Sequence, residues 1–565
     1  MKTVPLPRLA ILTTAVFMLL FNHNEAASQI VDLSSIPGMD TNLLSLALKV
    51  EPFEQGQLYV CVYDPSGIPS FHGDTVIMKN DSLRMLFTRY GVYSFDRAFP
   101  QLASPFKKEV YLLDKVFILK CHEDADSLLQ EMQRFSKGIY YYSERIPHYE
   151  PIGGSTMPIP EYPGITSTPS APNDPYFSQQ WALTNIHAKE AWDYTHGSPN
   201  VLIGIPDFGF NVYHKDLASK IVQIIPFTPS QPWHGTPVAG CAAAATNNSE
   251  GISAIGFDCK LILGDAQYST ILQMSNLGAR VINASFACCN AYNTTHLNVI
   301  HLLGDQGTLM VAGAGNGTEV PNPCAPNGNG YNYPASYDPV ISVTSVGQTD
   351  NHIFDATHSH THNDKVDVCA PGHGILSACY DNNTCYVSSF WGTSFASPIV
   401  AGLAALIFSA NPCLTPEEVK YIIETTTDDI YSVPGNSNLL GLLGHGRINA
   451  GEAVKKARII PAANDIRITG QVTWTTVHHI KNYLWISQGS TLTVTADVLF
   501  NTDARVVVEP GGTLVIDGAT FRNGLCQGMW MGIRVQGLRN ESQLTPGTHG
   551  TVILSNGAVI RGALT

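Results

Sequence analysis

The chain has 565 residues, 44% of them hydrophobic and 14% charged, which is enough for a sizeable core and about three domains. A net charge of −14 and a pI near 5.7 argue against an electrostatic partnership with nucleic acid.

Residues 1–27 read as a secretory signal. Lys2 and Arg8 lie near the start, "LAILTTAVFMLLF" supplies an apolar centre, and "EAAS" offers small residues for cleavage. The 13-residue apolar run is too short to be a good membrane span, and no later segment replaces it. The expected protein is therefore secreted or held at the cell surface, with no membrane span. Twelve cysteines in an exported chain make disulfides plausible, with Cys379 and Cys385 around "YDNNT" as the best pair. Adjacent Cys288 and Cys289 would be a strained pair, so other partners or buried thiols are expected there.

Residues 28–150 form a separate unit. "EVYLLDKVFILKC" predicts a strand, "DADSLLQEMQRFSKG" a helix and "IYYYSERIPHYEP" a strand. Residues 151–172 carry six prolines and no periodicity, the composition of a linker. From Asn173 the texture changes. "NVLIGIPD", "CKLILGDA", "RVINASF", "TLMVAGAGN" and "PVISVTSVG" are short apolar runs separated by helical segments such as "STILQMSNLGA" and "TTHLNVIHLLGD". Apolar strands alternating with helices predict an α/β domain with a doubly wound parallel sheet. Functional groups in such sheets gather beyond the carboxyl ends of the strands.

Four polar residues stand at such places. Asp207 ends the first strand, Asn316 follows "VAGAG", His234 opens "HGTPVAGCAAAA", and Ser394 opens a long apolar helix from Phe395 to Ser409, with Pro398 in its first turn. Each has a purely structural explanation as well: a turn cap, a left-handed position, a hydrogen-bonded histidine, and an N-cap serine. As a set they are a carboxylate, an amide, an imidazole and a hydroxyl. An imidazole can take the proton of a serine nucleophile, a carboxylate can orient that imidazole, and an amide can bind the oxyanion.

These residues lie in "IPDFG", "HGTPVAG", "VAGAGN" and "GTSFASPIVAG", in which the chain resembles the subtilisin-like serine proteases, or subtilases. "NDPYFSQQWALTNIHAKEAWD" and "GHGRINAGEAV" extend the resemblance over residues 173–457. It implies a serine endopeptidase acting on proteins or peptides, with Asp207 orienting, His234 as base and then acid, and Ser394 as nucleophile. Asn316 and the Ser394 backbone N–H would be the oxyanion donors. It further implies that residues 28–150 are a prosegment acting as an intramolecular inhibitor, with "YYYSERIPHYEP" extended in the cleft. Asp174, Asp216 and Asn248 fall where subtilases often bind a structural Ca2+, although ordinary turn residues would read the same way. Phe208, Pro237 and "ASFACC" near Ser285 depart from the family pattern.

Two alternatives compete with this reading. An esterase using Ser394, Asp428 or Asp429, and His445 has too few residues between serine and histidine for the strands it needs. A catalytically weak or dead protease domain acting as an adhesin or binding module would be favoured by loss of a catalytic group, and none is lost. "HSHTH" (His358, His360, His362) invites a metal, but its polar surroundings favour a solvated loop.

Residues 458–565 turn β-rich. "ISQGSTLTVTADVLFN" and "VEPGGTLVIDGATFRN" align at a 22-residue offset, Gly489 on Gly511 and Leu492 on Leu514. A short parallel β-helix accounts for this period; a β-sandwich also produces glycine-led strands.

Overall fold

Successive residues of a strand point to opposite faces, so a sheet covered on both sides needs apolar residues at every position. Inner strands such as Leu202–Pro206 and Leu309–Gly313 follow this pattern. Leu261, Leu263, Val281, Leu309 and Val311 enter one core, while Ile262, Ile282, Met310 and Ala312 enter the other. Seven strands make up this sheet, in the spatial order Val368–Pro371, Ile341–Val346, Leu309–Gly313, Ala279–Ala284, Leu202–Pro206, Lys260–Gly264 and Ile221–Ile224. Every neighbouring pair is parallel.

The structure is a computed structural model. It describes residues 53–564 except 74, 103–111, 152–170, 230–231, 318–329, 355–358, 460–464, 503, 525–528, 539–544 and 546. The signal segment, most of the linker and His358 lie outside the described residues.

Helices Pro232–Ala243 and Thr393–Ala410 contribute to one core, and helices Tyr268–Asn276 and Thr294–Asp305 to the other. Among the described residues Thr393–Ala410 is the one helix long and apolar enough to cross a membrane, and 89% of that stretch is buried inside the fold. Its cap is Gly392, not Ser394, which corrects the N-cap reading of that serine. Gly392 holds φ at +129°, a conformation that side chains rarely adopt, as the preceding strand turns into the helix. Pro398 sits beyond the first turn rather than within it.

Residues 53–151 contain a four-stranded antiparallel sheet in the order Val92–Arg97, Val116–Cys121, Phe53–Val62 and Tyr140–Pro147. Helices Asp81–Arg89 and Ala125–Phe135 complete a βαββαβ unit. The strand expected over "EVYLLDKVFILKC" is described only from Val116, after a short helical turn at Leu113–Lys115. Leu58 and Val60 pack with the unit's own helices, whereas Tyr59 and Cys61 enter the core around Tyr268–Asn276 and Thr294–Asp305. Glu144 seals this contact by accepting hydrogen bonds from the backbone N–H groups of Thr294 and Thr295, at 3.0 and 2.9 Å. These are unsatisfied donors at a helix N-terminus, which a carboxylate suits.

The C-terminal strands form three parallel stacks. Within one stack Leu492 faces Leu514, the pair related by the 22-residue offset, and Gly489 N–H donates to Gly511 O. Leu484, Val506, Leu492, Leu514, Phe500 and Phe521 fill the space between the stacks.

Candidate active site

Asp207 directly follows the central strand Leu202–Pro206 and is anchored by its own N–H, which donates to Gly264 O at 2.9 Å. His234 lies in the first turn of helix Pro232–Ala243. Gly235 beside it must lack a side chain: a Cβ there would come within 2.5 Å of Gly209 O. The close approach brings the helix start against the loop after Asp207. His234 Nδ1 is 2.8 Å from Asp207 Oδ1, and its Nε2 is 3.1 Å from Ser394 Oγ. All three residues are fully buried. With the Nδ1 proton donated to Asp207, the Nε2 lone pair faces the serine hydroxyl. Phe208 packs edge-on to His234 on the outer side.

Pro398 bears on Ser394 through the backbone. Without an N–H it cannot serve the Ser394 carbonyl four residues earlier. Ser285 Oγ donates to that carbonyl instead, at 2.9 Å, while Ser285 O lies 3.2 Å from Ser394 Oγ. Ser285 follows the strand Ala279–Ala284, so a second strand end holds the first turn of the serine helix.

Asn316 lies just past the strand Leu309–Gly313. Its Oδ1 accepts from the Thr393 backbone N–H at 2.9 Å and from the Thr393 hydroxyl at 3.2 Å. Its Nδ2 is buried with no hydrogen-bond partner among the described residues. Thr393 was not singled out by the sequence reading, although its place between Gly392 and Ser394 was visible.

The strand Phe286–Cys289 runs on from Ser285. Glu150–Pro151 pairs with it antiparallel, Pro151 opposite Phe286 and Glu150 opposite Ala287. Pro151, expected in the linker, is therefore in a strand.

Asp174, Asp216 and Asn248 come together as a separate polar cluster. Asp174 accepts from the N–H groups of Asn247 and Asn248 and from the Ser253 hydroxyl. Asp216 accepts from Asn248 Nδ2 at 3.1 Å and from Ile252 N–H at 2.8 Å. Asp216 is fully buried, and burial pushes its carboxyl up to about 6. Next to this cluster Cys379 and Cys385 are disulfide-bonded, and His214 Nε2 meets Cys385 O at 2.9 Å. Cys289 and Cys413 are each in a disulfide as well, whereas Cys288 is a buried thiol.

The described histidines of the run do not lie in a solvated loop. His360 and His362 are buried, and His352 joins them, its Nε2 3.1 Å from His362 Nδ1. Burial holds His352 down at about 3 and lowers His362. Between the two histidines of the run, Thr361 braces the Asn316 loop: its N–H donates to Gly315 O and its hydroxyl accepts from Gly317 N–H. The polar letters of this run conceal a tertiary burial that no local pattern reports. The esterase arrangement is absent: His445 is exposed against Asp367, and Asp428 pairs with Arg447.

Sequence comparison with known proteins gives one family. A model of the subtilase family matches residues 198–446. The thermophilic serine proteinase of Bacillus sp. (strain AK1) is 35% identical over 302 residues, which are 50% of this chain and 69% of that protein. Thermitase of Thermoactinomyces vulgaris is 34% identical over 303 residues, 50% of this chain and 99% of thermitase. Among solved structures, fervidolysin from Fervidobacterium pennivorans, a keratinolytic enzyme related to subtilisin, matches with a TM-score of 0.56. That match has 19% identity and covers 74% of this chain and 64% of the other, a likeness of fold alone. Sequence kinship over nearly the whole of thermitase, together with a buried carboxylate, imidazole and hydroxyl in line, identifies the chain as a member of the subtilase family and a serine endopeptidase.

Proposed function

We propose that this chain is an exported endopeptidase that hydrolyses peptide bonds with Ser394 as nucleophile. His234 takes the serine proton and returns it to the leaving amine. Asp207 holds the imidazole in the required tautomer and stabilises the imidazolium. Asn316 Nδ2 and the Ser394 backbone N–H donate to the tetrahedral oxyanion. The observation that carries this reading is His234 bridging Asp207 and Ser394 at 2.8 and 3.1 Å within a fully buried trio. Labelling with a serine-directed fluorophosphonate tests it: the protein without its N-terminal unit should label and cleave casein, and Ser394→Ala should do neither.

Residues 28–150 are then a prosegment held against its own enzyme. Support comes from the strand Glu150–Pro151 on Phe286–Cys289 and from Glu144 on the helix start at Thr294. A chain lying there occupies the strand a substrate would pair with. Export is supported by the apolar leader in residues 1–27 and by the Cys379–Cys385 disulfide, which suits an oxidising compartment.

A structural Ca2+ fits the Asp216 cluster. The support is Asp216, a fully buried carboxylate with no cationic partner among the described residues; to ligate beside it Asn248 would turn its amide, since its Nδ2 donates to Asp216 and its Oδ1 accepts from Glu250 N–H. Asp216 and Asn248 would hold the ion, with Asp174 fixing the loop. Its effect would be on stability, with no part in the bond cleavage.

A further inference from the structure

The strand Phe286–Cys289 forms the floor of a pocket that already holds a side chain. Tyr149, immediately before Glu150, places its ring 5.0 Å from Phe286, 5.9 Å from Tyr268 and 5.7 Å from His296. These walls come from three elements: the substrate-side strand, the first residue of helix Tyr268–Asn276, and helix Thr294–Asp305. With residues 53–151 in place Tyr59 also covers His296, its ring 5.6 Å away, and Phe286, Tyr268 and His296 are each at most 2% exposed.

The pocket has two polar groups, the His296 imidazole and the buried Tyr268 hydroxyl, and it is the imidazole that meets the Tyr149 hydroxyl. The Tyr149 hydroxyl lies 2.8 Å from His296 Nδ1. The His296 ring cannot turn away, because it stacks on Tyr268 at a centroid distance of 3.7 Å and an interplanar angle of 6°. Its backbone is fixed as well, its N–H donating to the Asn293 cap at 2.9 Å. Burial keeps this histidine well below the ordinary imidazole range, so it is neutral and offers one N–H and one lone pair. A phenol can satisfy the inward nitrogen; a phenyl ring of the same shape would leave it buried and unpaired. A site of this kind rejects the analogue lacking the hydroxyl more strongly than a purely apolar pocket separates near-isosteres.

Register locates the pocket along a substrate. Glu150 faces Ala287 and Pro151 faces Phe286. The next position outward is Ser285, whose carbonyl is 3.2 Å from Ser394 Oγ. A peptide in this register presents to the serine the carbonyl of the residue following the one opposite Phe286. The pocket then takes the fourth residue before the cut.

We infer that this enzyme selects substrates with tyrosine at the fourth position before the scissile bond, read by His296 in the pocket it forms with Tyr268 and Phe286. The inference rests on the protease reading above and adds the side-chain class that the cleft recognises.

The test uses processed enzyme. Cleavage of a proteome-derived peptide library defines a residue accepted at the cut. Two peptides built on that residue, differing only in Tyr or Phe at the fourth position, are then compared, with an alanine peptide as reference. The expected kcat/KM favours Tyr over Phe by about 10- to 100-fold. His296→Phe, which retains an aromatic ring beside Tyr268, should bring the Tyr peptide down to the level of the Phe peptide, each expressed relative to the alanine peptide on the same variant. Equal cleavage of Tyr and Phe by enzyme that labels with fluorophosphonate overturns the inference and leaves the protease reading standing. If His296→Phe does not fold, the wild-type ratio alone decides. A wild type that neither labels nor cleaves any peptide or casein overturns both readings.

Discussion

Thr393 holds Asn316 by its carbonyl end: the backbone N–H and the hydroxyl of Thr393 both donate to Asn316 Oδ1, at 2.9 and 3.2 Å. An amide fixed through its oxygen must present its nitrogen elsewhere, and here Nδ2 has no partner among the described residues. On the proposed function that nitrogen would be the donor to the oxyanion.

Asn316→Ala should therefore lower kcat with a much smaller change in KM. The expected loss is about 100- to 1,000-fold, a size known for the equivalent donor of subtilisin rather than derived from this geometry. Steady-state kinetics on one peptide decides it, and an unchanged kcat removes Asn316 from the oxyanion site.

Ser394→Ala should accumulate with residues 28–172 still attached, while the wild type loses them up to a point within 151–172. The strand Glu150–Pro151 already lies along Phe286–Cys289, one residue from the Ser285 carbonyl beside the nucleophile. N-terminal sequencing of both proteins, purified with other proteases inhibited, makes the comparison. The same new N-terminus in each would assign the cut to another protease.

Calcium should raise the thermal midpoint of the wild type by several degrees, because an ion bound only to the folded state stabilises it by about 2.7 kcal/mol at 100 times its Kd. Asp216→Ala should abolish the response. Scans after prolonged chelation and after readdition of calcium provide the measurement; a calcium response as large in the variant as in the wild type sinks the assignment.

Acid should destabilise the fold through His352. It is fully buried, and burial holds it at about 3, whereas an unfolded histidine titrates near 6.5. Between these values the unfolded chain binds a proton that the native chain refuses. The stabilisation is complete above about pH 6.5 and is lost as pH falls toward 3, roughly 2 kcal/mol of it by pH 5. Denaturant midpoints between pH 7 and 5 should fall less steeply for His352→Gln than for the wild type. Parallel pH slopes would exclude His352 as a source of acid sensitivity.

Much of the catalytic domain is legible in the linear chain. Strands of a sheet covered on both faces must be apolar at every position, so runs such as "KLILG" and "LMVAG" announce themselves without a partner in view. Asp207, His234, Asn316 and Ser394 stand at the ends of such elements, where the chain order already pairs them with a chemistry. The edge strand Ile221–Ile224 was not foreseen, since three of its four residues are exposed and it carries no buried run. His360 and His362 differ for the opposite reason: they look solvated in sequence and are buried, packed against His352, Phe354 and Trp391. The cap reading of Ser394 was decided by the backbone at Gly392, whose φ of +129° no residue pattern specifies. The same holds for the pocket around Tyr149, whose walls are 119, 137 and 147 residues away at Tyr268, Phe286 and His296. Periodicity and turn chemistry act over a few residues, so they determine elements and the motifs at their ends. Burial, register and the partner of a hydrogen bond depend on which distant segments meet, and only the folded chain decides that.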